Sequence, residues 1–178
     1  MSVSLQAMSL VLVLGCSDEG PSMAETKRWL ETEAPAMLGA FESQLGDLIL
    51  STSDHSVANL ALENCVLSWT SITKTKIKVQ TREKNLDSKY TYRFPLRYLD
   101  LGGVRVDQIQ FMSDKPADVI RLPARSVAGA TIISVDSAGK ESREKAAMLY
   151  VRSRDEGQRV VKAIRRAAQL CGAPANPF

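Results

Sequence analysis

Near Leu62 the spacing of apolar residues changes from every third or fourth position to every second, which divides the chain into a helical part and a β part. Before the change, Trp29, Leu30, Met37, Leu38, Phe41, Leu45 and Leu48 follow the period of a helix with one buried face. Ser22 with Glu25 three residues on is a capping box, in which each side chain satisfies the other's orphan backbone donor, so a helix is predicted to begin there. Pro35 lacks the donor an interior helical position needs. The spacing therefore predicts a helical arm over 22–50, built as two short helices or one kinked helix. Its polar face is acidic, which disfavours anionic lipid and favours packing on the rest of the domain.

After the change, turn residues punctuate short alternating runs. Cys65, Leu67 and Trp69 share a face of a first predicted strand, and Thr75, Ile77 and Val79 share a face of a second. Tyr90, Tyr92, Phe94 and Leu96 line a third. Gly102-Gly103 turns into a fourth, bulged strand over 104–111, and Asp114-Lys115-Pro116 turns again. Runs 119–122, 130–135 and 147–152 supply the last three, with Ser137-Ala138-Gly139-Lys140 turning between the final pair. Asp155-Glu156-Gly157-Gln158 then opens a helix whose inner face carries Val160, Ile164, Ala167 and Cys171. Its outer face carries Arg159, Lys162, Arg166 and Gln169, and Gly172 and Pro174 end it. At 178 residues, 44% hydrophobic and 24% charged, the chain suits one globular core and not two.

Seven short strands closed by one amphipathic helix resemble the pleckstrin-homology-like superfold over 62–172. The expected fold is thus α+β: a strongly bent seven-stranded antiparallel sheet or barrel, plugged by the C-terminal helix, with the N-terminal helical arm added and 173–178 as a short tail. That superfold carries phospholipid binders, peptide binders and plain scaffolds, so the resemblance implies no single function.

The run over 3–14 has no charge and is too short to span a bilayer, which takes about 20 residues. It has the dimensions of a signal peptide and is followed at once by the polar, acidic stretch Ser17-Asp18-Glu19-Gly20-Pro21-Ser22. Val13-Leu14-Gly15-Cys16 resembles the lipobox of bacterial lipoproteins, in which a small residue precedes the cysteine that is acylated and becomes the new N-terminus. The resemblance implies a signal peptide over 1–15, a lipid on Cys16 and a tether over 16–21. It also implies export, anchoring facing the periplasm and an envelope protein as partner. Ser17 after the cysteine leans toward the outer membrane. The other reading of the same run is a buried N-terminal element with an ordinary core cysteine.

With Cys16 acylated, Cys65 and Cys171 are an even pair in an oxidising compartment and can bridge strand to helix; the alternative is two buried thiols. Neither catalysis nor a metal nor a cofactor is suggested: there is no Cys/His spacing for zinc, no Gly-rich phosphate loop and no regular Asp spacing for calcium. The sole histidine, His55, lies in Ser51-Thr52-Ser53-Asp54-His55-Ser56, and this polar run is expected to be a loop. Adjacent positions rarely produce the geometry of a catalytic triad, whose groups converge from distant segments.

The net charge of +3 hides an asymmetry. Residues 1–63 hold two basic against nine acidic side chains, a balance of −7, which leaves 21 basic against 11 acidic, or +10, in 64–178. Lys74, Lys76 and Lys78 alternate along one predicted strand, with Arg82 and Lys84 just beyond, and make the best candidate anion site. By the pleckstrin-homology resemblance, such a row falls where lipid phosphates are held; by the plainer reading, it is a solvated face whose lysines prevent edge pairing. The sequence therefore supports first a non-catalytic, lipid-anchored envelope adapter or binding module. Binding of anionic envelope lipid through the lysine row comes second. A cytosolic domain holding nucleic-acid phosphates follows only if the N-terminal segment is not a signal, and the 6% aromatic content gives base stacking little support.

Overall fold

The computed structural model describes residues 20–39, 41–44, 49–79, 82–110 and 116–175. The expected signal peptide, Cys16 and most of the tether lie outside the described residues, as do Leu45, Leu48, Phe111 and the end of the tail. The helical arm begins as its capping chemistry dictates. Ser22 is the N-cap of α1 (Met23–Thr32), its hydroxyl accepting from the Glu25 amide while Glu25 accepts from the Ser22 amide at 2.9 Å. The helix ends at Glu33, and α2 (Ala34–Met37) restarts it with Pro35 in its first turn, where the missing donor costs nothing.

The arm is shorter than its periodicity predicts. Phe41–Gln44 is a strand, β1, and it pairs antiparallel with β2 (Ile49–Glu63). The polar run around His55 is therefore not a loop but the middle of a 15-residue strand, and the β region starts about twenty residues before Leu62. Its Ser- and Thr-rich sequence lacks apolar alternation, and pairing on both sides holds it in place. Asn64 and Cys65, both at positive φ, make the two-residue turn into β3 (Val66–Val79). Cys65 is thus a turn residue, not part of a strand. The first two predicted strands are this single β3, because Thr70, Ser71 and Thr73 between them continue the strand instead of breaking it.

The remaining elements are β4 (Arg82–Pro95), a 3-10 turn (Leu96–Tyr98), β5 (Arg105–Ile109), β6 (Ala117–Pro123), β7 (Ile132–Asp136), β8 (Glu141–Glu144), β9 (Ala146–Tyr150) and α3 (Arg154–Leu170). Among the described residues the strands form two antiparallel sheets, one in the order β1-β2-β3-β4-β7-β8 and one in the order β5-β6-β9. The class is α+β with a helix at each end, but the architecture is neither seven-stranded nor a closed barrel. One reason is β8, whose residues Glu141-Ser142-Arg143-Glu144 are all exposed and carry no apolar signal. The turn at Gly139 accordingly joins β7 to β8, not β7 to β9. The cap of α3 is also displaced: the Ser153 hydroxyl, not the acidic run after it, accepts from the Glu156 amide and donates to the Glu156 carboxylate at 2.8 Å.

One apolar core joins the two sheets and the helices. Leu30 of α1, Leu67 and Trp69 of β3, Phe94 of β4, Ile120 and Leu122 of β6, Leu149 of β9 and Ile164 of α3 are all essentially inaccessible. Each contributes on the order of 1.5–3 kcal/mol by leaving water. Burial stops partway along the large sheet. From Thr73 to Lys78 in β3 and from Arg82 to Lys89 in β4 no residue is buried, and β7 pairs only with Tyr90–Arg93 of β4, so the outer halves of β2, β3 and β4 extend past the core as a ribbon. At the other end of the domain, Cys65 and Cys171 are joined by a disulfide with their Cα atoms 5.6 Å apart, which ties the β2–β3 turn to the C-cap of α3.

Candidate functional site

The lysine row stands on the projecting ribbon. Lys74, Lys76 and Lys78 are exposed on one face of β3, as their alternation requires. Register divides the rest of the predicted set from them: Arg82 lies opposite Val79 and Lys84 opposite Ile77, so both belong to the other face. On the lysines' own face, Lys74 lies between Asp54 and Asp87, and Lys78 lies opposite Glu83. Carboxylates interleave the row and leave no patch of single sign. Nor is β3 an edge strand, since β2 and β4 flank it along its length, so protection against edge pairing does not account for the lysines.

His55 is half-buried on the opposite face. Its Nδ1 lies 2.9 Å from the Thr73 hydroxyl, and its ring stacks on Tyr150 of β9 with centroids 4.4 Å apart. Burial holds the imidazole below its ordinary pKa, partly opposed by the neighbouring charge of Asp54, and burial raises the Tyr150 phenol. Asp54 belongs to the other face of β2, and the Ser53 hydroxyl bonds that of Thr75 at 3.0 Å. Ser53 and His55 thus share one face but are each engaged by a different threonine, and the Asp54 carboxylate lies on the other, so the groups adjacent in sequence do not line up as a triad. Further along the same sheet face, Trp69 stacks on Tyr92 at 4.9 Å, and burial together with the charge of Glu144 raises the Tyr92 hydroxyl.

A second basic surface lies between α1 and α3. Arg159, Lys162 and Arg166 fall on one stripe of α3, and α1, which packs against that helix, adds Arg28 and Trp29 to the same cleft. Arg166 fixes the chain entering α1: Nε donates to the Pro21 carbonyl at 2.8 Å and Nη2 to the Gly20 carbonyl at 2.9 Å. Arg165, also at the cleft, donates to the Val104 carbonyl. The cleft's carboxylates are Glu25 and Glu33; the first is engaged by Ser22, whose hydrogen bonds hold it below the usual carboxylate range. Five cations thus face two carboxylates, one of them already satisfied. The outer stripe of α3 was visible in the sequence, but its apposition to α1 was not.

Among the described residues no three His, Cys, Asp or Glu side chains gather as metal ligands would, and no helix is long and apolar enough to cross a membrane. Compared with models of protein families, with curated proteins and with solved structures, the chain matches none.

Proposed function

We propose that this chain is a non-catalytic, lipid-anchored module of the bacterial cell envelope, exported by residues 1–15, acylated at Cys16 and tethered through 16–21. The observation that carries the reading is the uncharged run over 3–14 ending in Val13-Leu14-Gly15-Cys16 and giving way at once to Ser17-Asp18-Glu19. The Cys65–Cys171 disulfide supports it, because such bonds persist outside the reducing cytosol. Ser17 favours the outer membrane, with the domain facing the periplasm and serving an envelope protein partner. A helix packed across antiparallel sheets is what the domain shares with the pleckstrin-homology-like superfold, and kinship to it rests on that feature alone.

The test is metabolic labelling of cells with an alkyne fatty acid. Label on the wild type that is lost in Cys16→Ala supports the anchor. Absence of label from both removes it and returns nucleic-acid phosphates to consideration for the basic part of the chain.

A further inference from the structure

We infer that the cleft between α1 and α3 is the face this protein lays against an anionic phospholipid bilayer, with Arg159, Lys162 and Arg28 meeting the headgroups and Trp29 seated at the interface. The inference deepens the anchored reading and rests on it for orientation. Four peptide units separate Cys16 from Gly20, a reach of at most about 14 Å for fully extended chain. Gly20 and Pro21 are held on α3 by the Arg166 guanidinium, so the chain leaves the domain beside this cleft and not beside the ribbon. An acyl chain on Cys16 would thus bring the α1–α3 face to the membrane before any other.

The acidic character expected of the arm does not carry over to the cleft, where α3 brings the cations to five against Glu25 and Glu33. Glu31 is engaged elsewhere by Lys27 and the Leu62 amide, so charge selects an anionic surface there. Arg28, Arg159 and Lys162 are exposed and none makes an ion pair with a described carboxylate, although Glu25 stands near enough to Arg28 to be lowered by its charge. Basic groups beside an anionic leaflet are attracted to it within a Debye length, and a Trp at that level suits the headgroup region, apolar on its rings and polar at its N–H. The lysine face of the ribbon lacks this balance, since Asp54, Glu83 and Asp87 alternate with its cations.

The test uses the full chain purified from membranes and reconstituted into phosphatidylcholine vesicles with or without phosphatidylglycerol, the lipids carrying brominated acyl chains that quench tryptophan. Trp69 is buried in the core, so quenching reports Trp29. The expected result is quenching that depends on phosphatidylglycerol, disappears in Trp29→Phe, falls severalfold in Arg159→Glu/Lys162→Glu and is unchanged in Lys76→Glu/Lys78→Glu. Quenching that is absent, indifferent to phosphatidylglycerol, or sensitive only to the ribbon variant would overturn the inference. The acyl mass on Cys16, read from the same preparation, separates the two proposals. Acylated protein without quenching keeps the anchor and removes the membrane-facing cleft. Unacylated protein that shows phosphatidylglycerol-dependent quenching when added to preformed vesicles keeps the cleft and removes the anchor.

Discussion

The imidazole of His55 lies flat against the phenol of Tyr150, with 4.4 Å between ring centroids and 16° between planes, and the contact joins β2 of the large sheet to β9 of the small one. The chain crosses between the sheets at the same place: Leu38 bridges to Val151, the Gly39 amide donates to the Tyr150 carbonyl at 2.8 Å, and β1 then pairs with β2. Gly39, at φ +90°, makes that crossing; a Cβ there would meet the β2 backbone at 3.1 Å.

Because burial lowers the folded-state pKa of His55 below 6.5, stability should depend on pH with a definite sign. Below 6.5 the unfolded chain binds a proton that the folded chain does not, so the free energy of unfolding falls as pH drops from 6.5 and the loss levels off below the folded pKa. His55→Phe keeps a ring for the Tyr150 stack and removes the titration. Urea unfolding between about pH 7 and pH 5 should show a shallower slope for the variant. Equal slopes would mean that His55 makes no contribution to the pH dependence of stability.

The disulfide closes a separation of 106 residues, and a loop of that order constrains the unfolded chain strongly. Replacing both cysteines with alanine should lower the unfolding free energy by about 2–4 kcal/mol, and reducing the wild type should reproduce the change. A shift in urea midpoint equivalent to less than about 0.5 kcal/mol would show that the core alone sets the position of α3.

Cys65 also carries a backbone cost apart from its bond. It holds φ +62° at the second position of the β2–β3 turn, a conformation that favours glycine. Once the disulfide is gone, nothing requires a side chain there. Cys65→Gly/Cys171→Ala is therefore expected to be more stable than Cys65→Ala/Cys171→Ala by about 1 kcal/mol, despite glycine's greater freedom in the unfolded chain. The reverse order would place the turn in a different conformation.

What could be read in the sequence followed the range of the interactions responsible. The start of α1 was legible because Ser22 and Glu25 act within one turn, and the break near Pro35 because proline acts on its own peptide unit. The strand through His55 was not, since its polar residues are held by register with β1 and β3 and not by burial of alternate positions. Nor was β8, four exposed residues held on the edge of a sheet. Period two placed Lys74, Lys76 and Lys78 on one face, but only the register with β4 shows that Arg82 and Lys84 leave it and that Glu83 and Asp87 enter it. The α1–α3 cleft was hidden for the same reason, as Arg28 and Arg159 come together only through packing between the two ends of the domain.

Gly157 shows how α3 is seated against the small sheet. It lies in the first turn of α3, where glycine costs a helix about 1 kcal/mol relative to alanine, so propensity alone would make Gly157→Ala stabilising. Contact points the other way. A Cβ at this position would stand 2.9 Å from a methyl of Val106 on β5 and 3.0 Å from a methyl of Val151 just after β9. Both valines are buried, and their branched side chains have little rotamer freedom with which to yield. The helix would have to move away from the small sheet and from the core it covers with Val160 and Ile164. Overpacking of this kind costs about 1–3 kcal/mol, which exceeds the gain in propensity. Gly157→Ala is therefore expected to lower the unfolding free energy, and Gly157→Ala/Val106→Ala, which gives the new methyl space, should lose less than the sum of the two single changes. A stabilised single variant would show that α3 approaches β5 less closely than this geometry requires.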